Sequence, residues 1–311
     1  MQAEQIQHII YAGIVGDALG VPIEFQERDT YQVTAMSVGG YWDQPLGTWS
    51  DDSAMTLALM DNLTTDASYD ELFDKFQAFV MWGDYMPAHH TFDVGKTCMH
   101  AIRNHFTNQV PAVASGDAAD FANGNGALMR LAPLAIVLQT ETNLTTRLKL
   151  YRDYTSMTHR HPRAILGSYL YLESLHAILN GATLKQSLAL LAVKLPSALQ
   201  AEPEVLAEWD YYTAYLSPDF AKTPRDQVKS TAYVVDTFAA ALWCNLQTKT
   251  VADAILLAAN LGGDTDTIAS IAASWAACQR PDTVLAWQAQ LREPTTLNAL
   301  IAPFAAKFAI D

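Results

Sequence analysis

Of the 311 residues, half are hydrophobic and 17% are charged, and 33 acidic side chains against 19 basic ones leave a net charge of −14. So apolar a chain can bury a large core, in one domain or two, and so acidic a chain has no electrostatic footprint for nucleic acid or for an anionic membrane surface. An anionic small-molecule substrate would meet a repulsive field that local cations must reverse.

Met1 to Gln5 carry neither a basic start nor a long apolar core, so no secretion signal is expected. No apolar run is expected to approach the roughly eighteen residues that a membrane span requires. Ile6, Ile9, Ile10, Gly13 and Ile14 share one face of a helix that should end near Gly20, ahead of Pro22. Its small residues Gly13, Gly16, Ala18 and Gly20 permit close backbone approach, and Asp17 among them reads as a satisfied polar group. Residues 26–49 are irregular, with β-prone pieces around Tyr31 to Met36, a turn at Gly39-Gly40, and Trp42 and Trp49 packed under a long loop or walling a pocket. Helical spacing then predicts helices over 52–63 and 69–82. His89 and His90 are adjacent on a loop, and loop neighbours rarely chelate one ion.

A helix is expected over 94–106, with Asp93 as a candidate cap. The turn Gly124-Asn125-Gly126 leads into Ala127, Leu128, Leu131 and Leu134, with Arg130 one turn into a helix and placed to cover a carboxylate. Helices follow over 144–157 and from Pro162 to about Leu179. Residues 181–226 hold four prolines and amphipathic pieces around 184–195 and 205–216, and no cluster that carries chemistry. They read as a periphery where substrate proteins are distinguished. Helices over 231–246, 251–261, 282–291 and 296–308 complete the chain. Cys98, Cys244 and Cys278 are odd in number, widely spaced and set in apolar helical surroundings, as befits reduced packing residues of a cytoplasmic protein. Helical periodicity dominates throughout, so the fold class is all-α, and no linker, composition break or repeat divides residues 1–311 into more than one domain.

Two short stretches stand out from this pattern. Leu261 to Ser270 reads Leu-Gly-Gly-Asp-Thr-Asp-Thr-Ile-Ala-Ser: two glycines release the chain, and Asp264, Thr265, Asp266 and Thr267 open a buried helix. Helix capping by Asp264 or Thr265 accounts for one such stretch. In the second, Ser50, Asp51, Asp52 and Ser53 precede the apolar run Met55, Leu57, Leu59 and Met60. One cap needs one carboxylate, and adjacent carboxylates repel, so a cation explains the pair better. Hard divalent ions take carboxylate and hydroxyl oxygens, and two such helix starts would suit a pair of ions about 3.5–4 Å apart. The stretches lie over two hundred residues apart, so the fold must bring them together.

Six segments occur together in an order that resembles the ADP-ribosylglycohydrolase family. They are Gly16-Asp17-Ala18-Leu19-Gly20 with Pro22 and Glu24-Phe25, Ser50-Asp51-Asp52-Ser53, Phe92-Asp93-Val94-Gly95, Gly124-Asn125-Gly126-Ala127-Leu128-Met129-Arg130, Thr158-His159-Arg160-His161-Pro162, and Gly262-Gly263-Asp264-Thr265-Asp266-Thr267. The likeness covers residues 9–276. It departs from the family pattern slightly, with Ser50 and Ser53 where threonine is frequent and Ala273 where glycine is common; serine keeps the hydroxyl.

The resemblance implies a compact orthogonal helical bundle and a hydrolase that removes ADP-ribose from a modified protein or a small ADP-ribosyl compound, at the N-glycosidic bond to arginine. It also implies two divalent cations, Mg²⁺ or Mn²⁺, held by Ser50, Asp51 and Asp52 on one side and by Asp264, Asp266 and Thr267 on the other. Glu24 takes the position of the general base, or gate, and Asp93 faces the leaving group, where a carboxylate pairs with guanidinium. Asp266 doubles as a catalytic carboxylate. Gly124, Asn125, Gly126 and His159 lie against the ADP-ribose, and His161 is structural. No nucleic-acid or membrane partner is expected, and a monomer is. An O-linked ADP-ribose hydrolase, a non-catalytic binding member and an unrelated two-metal phosphoesterase remain as rival readings.

Overall fold

In a computed structural model, which describes residues 1–280 and 285–310, the chain is helical and the described residues hold isolated bridges but no sheet. The first helix, α1 (Ala3–Gly20), is buried along its whole second half. Against expectation, Ala3–Ile23 is long and apolar enough by length and composition to cross a membrane; 89% of its apolar window is covered by the rest of the protein, as in a core helix. α2 (Asp51–Thr64) begins at Ser50, and α3 (Tyr69–Trp82) begins in a reciprocal cap. There the Ser68 hydroxyl accepts the Glu71 N–H at 3.2 Å and the Glu71 carboxylate accepts the Ser68 N–H at 2.7 Å.

α4 (Lys96–Asn108), α5 (Ala132–Val137), α6 (Leu144–Ser156), α7 (Pro162–Leu179), α8 (Leu184–Ala198) and the single turn α9 (Pro203–Leu206) lead to a run of 3₁₀ turns between Trp209 and Gln227. α10 (Val234–Gln247), α11 (Val251–Ala259), α12 (Thr265–Gln279) and α13 (Pro294–Phe308) follow.

α12 is the centre of the packing, touching α1, α2, α7, α10 and α11. Its closest neighbour is α1, and glycine makes that approach possible. A Cβ on Gly20 would fall 2.3 Å from the Asp266 Cα, a distance no side chain tolerates. Thr265 completes the joint by donating its hydroxyl to the Gly20 carbonyl at 3.0 Å. Trp275, fully buried further along α12, packs on Tyr171 and Phe238 with ring centroids 5.3 and 5.6 Å away.

Several expectations fail for local reasons. The β-prone 31–36 forms no strand, because the Asn260 side chain accepts the Val33 N–H at 2.8 Å and donates to the Val33 carbonyl at 3.0 Å in place of a partner strand. The helix expected after Gly126 is a 3₁₀ turn, Leu128–Arg130, before α5. Arg130 covers no carboxylate. It is buried, donates to the carbonyls of Gly126 and Tyr154, and lies over the Phe76 ring at 5.3 Å. The amphipathic 205–216 breaks into short turns. Of the helix expected over 282–291, residues 282–284 lie outside the described residues, and the described remainder shows a 3₁₀ turn at Gln288–Gln290.

Candidate active site

Asp17, at the end of α1 and fully buried, organises the start of α2. Its carboxylate accepts the Ser50 N–H at 2.9 Å, the Ser53 N–H at 3.0 Å and the Ser53 hydroxyl. A neighbouring helix thus supplies the carboxylate cap, as the reading of Asp17 as a satisfied polar group anticipates. The Ser50 hydroxyl accepts the Asp52 N–H at 3.3 Å, and the Asp51 and Asp52 side chains are left to face inward. Asp51 accepts the Gly95 N–H at 3.4 Å. One oxygen of Asp52 accepts the Thr267 hydroxyl at 3.1 Å, and the other is buried without a partner.

The start of α12 is built differently. Gly262 and Gly263 both have φ near 75°, and a Cβ on Gly263 would stand 2.2 Å from the Ser230 carbonyl oxygen. This tight turn laces three segments: Phe25 N–H donates to the Gly263 carbonyl at 2.8 Å, Gly263 N–H to the Gln26 carbonyl at 3.0 Å, and Asp264 N–H to the Ser230 carbonyl at 3.0 Å. Asp264 occupies the N-cap position but its side chain caps nothing. Instead it accepts the Asn125 amide at 2.5 Å. Neither oxygen of Asp266 has a hydrogen-bond partner, although the residue is only 1% exposed. Simple capping therefore does not explain these carboxylates.

Glu24, on the loop after α1, accepts the Trp42 indole N–H at 2.6 Å. Glu24, Asp264 and Asp266 each offer an oxygen within 4.8 Å of the others. Asp93 does not cap α4, whose N-cap is Gly95 with no side-chain bond; it sits at φ 50° with its carboxyl group beside that of Glu24. Burial, then the Asp93 charge, pushes Glu24 up to about 9. Burial, then the Asp264 charge, raises Asp93 to about 6. Burial also holds Asp51, Asp52 and Asp266 well above the usual carboxylate range and raises Asp264.

These groups border a cleft of about 280 Å³ that Glu24, Asp51, Asp52, Asp93, Asp264 and Thr267 share with Gly124, Asn125, Gly126 and His159. Asp266 is buried behind the Glu24 and Asp264 side. Ser50 holds Asp52 from behind and does not line the cleft. Asn125 is fixed from three sides, by Asp264, by the Thr237 hydroxyl at 2.9 Å and by the Ala232 carbonyl at 3.0 Å. His159 bonds the Thr158 hydroxyl through Nδ1 at 2.9 Å, and burial, helped by the nearby Arg130 charge, lowers its pKa to about 3, so its ring is neutral. His161 turns away to Asp120 at 2.9 Å and accepts the Arg163 N–H at 3.1 Å, a structural role at the start of α7. His89 and His90 are exposed and outside the cleft.

Sequence reasoning passed over some of the lining. Lys96 is the one basic side chain on the cleft wall among the described residues, and Cys98 lies beneath it with its thiol raised to about 12 by burial. Neither belongs to a motif with a chemical signature. The Trp42 bond to Glu24 spans a loop with no periodicity to read.

The donor set fits divalent cations. It is all oxygen, drawn from two helix starts, and leaves one oxygen of Asp52 and both of Asp266 buried without partners. Such a helical protein, with carboxylates from distant segments gathered in one cleft, belongs to the ADP-ribosylglycohydrolase family, whose model matches residues 2–309. Two relatives named ADP-ribosylarginine hydrolase Tri1 are 32% identical over 83% of this chain, from Pseudomonas putida (strain GB-1), and 29% identical over 82%, from Serratia proteamaculans (strain 568). The chain spans 66% of the length of each. ADP-ribosyl-[dinitrogen reductase] glycohydrolase of Rhodospirillum rubrum is 29% identical over 83% of this chain and 79% of its own. A solved structure named ADP-ribosylglycohydrolase-related protein complex shares the fold, with a TM-score of 0.80 over 99% of both chains at 24% identity.

Proposed function

We propose that this chain hydrolyses ADP-ribosyl linkages, foremost the N-glycosidic bond to an arginine guanidinium, with two divalent cations, Mg²⁺ or Mn²⁺, in the cleft. The observation that carries the reading is the unpartnered, buried carboxylate of Asp266 beside Glu24 and Asp264. An ionised group is not kept in that setting without a positive partner. The two relatives named ADP-ribosylarginine hydrolase supply the linkage.

In this reading Asp51 and Asp52, braced by the Ser50 hydroxyl, would hold the ions from the α2 side, and Asp264, Asp266 and Thr267 would hold them from the α12 side. Bound there, the cations would neutralise the carboxylates, orient ribose hydroxyls and stabilise the charge that develops as the glycosidic bond breaks. Asp93, beside Glu24, pairs with the departing guanidinium. Glu24, aimed by the Trp42 indole and relieved of its own proton when cations fill the cleft, would take the proton of the attacking water. The Gly124–Gly126 loop and neutral His159 contact the ADP-ribose without adding charge. Residues 1–311 act as one domain, because these groups come from segments between residues 24 and 267.

The test is incubation with arginine-ADP-ribosylated protein, serine-linked ADP-ribose and O-acetyl-ADP-ribose, each with Mg²⁺, with Mn²⁺ or with EDTA. Intact ADP-ribose should be released fastest from the arginine linkage, and chelation should abolish the release. Liberation of AMP or phosphate instead would refute the reading in favour of a phosphoesterase.

A further inference from the structure

The mouth of the cleft carries an apolar surface that the core does not need. Phe25, next to Glu24, is 56% exposed, and Tyr41 and Val38 are 70% and 66% exposed. Phe25 lines the cleft and meets Tyr41, and Val38 stands three residues before Tyr41 on the same loop. The Phe25 and Tyr41 rings meet edge to face at 5.1 Å, Tyr41 meets Trp42 at 4.8 Å, and Trp42 leans on Phe92, the neighbour of Asp93, at 5.6 Å. Trp42 is also the residue that holds Glu24. The rim therefore stands beside Glu24 and Asp93.

Its backbone is costly to build. Phe25 has φ 66°, a left-handed conformation that a bulky side chain rarely adopts. The charge that the loop 25–49 leaves free is acidic: Glu27 and Asp43 are exposed and form no ion pair among the described residues, Asp29 pairs with Arg225 at 2.6 Å, and Arg28 spends its guanidinium on the carbonyls of Leu261, Arg225 and Val228. The lysines that share a pocket wall with Phe25, Lys96 and Lys229, belong to other segments. The surface is thus aromatic and acidic, next to the place where the leaving group departs.

We propose that the Val38–Tyr41–Phe25 rim, with Asp43, docks the polypeptide that carries the modified side chain, and that it favours a chain with basic residues beside the modified one. Tyrosine and phenylalanine supply large contact area at little conformational cost, and the carboxylates complement a basic segment. This places protein recognition on the loop 25–49, not on the 181–226 region expected from the sequence. The apolar groove of about 450 Å³ in that region, between α8 and residues 213–221, shares no lining residue with the cleft.

The inference rests on the proposed ADP-ribosyl hydrolase reading, and the experiment separates the two. Val38→Ser/Tyr41→Ser and, separately, Asp43→Lys are compared with the unaltered chain on ADP-ribosylated protein and on free ADP-ribosylarginine, both with metal. The double variant should raise KM for the protein about tenfold, and Asp43→Lys should raise it less, more at low salt than at high salt. Neither should change kcat/KM for the free compound by more than about twofold. Equal losses on both substrates, or no loss on the protein, overturn the rim assignment alone. Release of ADP-ribose from neither substrate by the unaltered chain overturns the functional reading, and the rim assignment with it.

Discussion

The starts of α2 and α12 do similar work with opposite construction. Ser50–Ser53 is pinned: Asp17 accepts its N–H groups from outside, and the serine hydroxyls close the remaining bonds. Asp264–Thr267 follows two glycines in left-handed geometry, its N-cap side chain is drawn away by Asn125, and Asp266 is left with nothing to bond. The first is a satisfied scaffold that carries carboxylates. The second is a frustrated one, whose burial of charge makes sense once a cation arrives. A carboxylate that stabilises the fold and one that awaits a ligand are told apart by their partners, since both are buried and both have raised pKa values.

This contrast is broken most sharply at Asp266. Asp266→Ala should cut turnover roughly a thousandfold or more, the worth of several kcal/mol of charge stabilisation. Without metal, its melting temperature should stay level or rise, because no hydrogen bond is lost. A marked fall in metal-free stability would mean that Asp266 belongs with the scaffold.

Asp17 should behave in the reverse way. Asp17→Ala strands the buried N–H groups of Ser50 and Ser53 and should cost about 2–4 kcal/mol of stability, read from the denaturant midpoint. A variant as stable as the parent would show that α2 needs no outside cap.

The smallest effect sharpens the comparison through pH. Asp17 and Asp93 stand at about 6 and Glu24 at about 9 in the folded chain, against about 4 for unfolded carboxyls. With these values raised, the folded metal-free chain binds more protons than the unfolded one, so the associated stability is full below pH ~4 and is lost as pH rises through ~6 to ~9. Melting curves in EDTA should therefore fall by a few degrees between about pH 5 and pH 9, and added Mg²⁺ or Mn²⁺ should raise the midpoint more at the higher pH. An ion-induced shift of equal size at both ends would argue that bound metal displaces no protons from the cleft.

Helical periodicity made α3 and α7 legible to the residue, and small residues at helical spacing announced a close approach to α1 without naming α12 as its partner. The α2 and α12 carboxylates were legible because the same odd grouping occurs twice, whereas Glu24 and Asp93 were legible only through the family resemblance. What the sequence hid depends on distant partners. The strand-like 31–36 is claimed by one amide side chain from residue 260, and Arg130, a charge beside a phosphate-suited loop, is spent on two carbonyls. No local pattern encodes such a bond. The exposure of Phe25 and Tyr41 was equally silent, since an aromatic residue in an irregular loop reads the same buried or bare.

The α1–α12 joint also has a consequence for biosynthesis. Thr265 reaches a carbonyl 245 positions earlier, and the carboxylates on either side of that joint are the ones that face each other across the cleft. Closing so long a loop is slow and comes late. On the proposed metal reading, a nascent chain could not trap ions until the ribosome has released the segment bearing α12, and metal uptake would serve as a clock for the end of maturation.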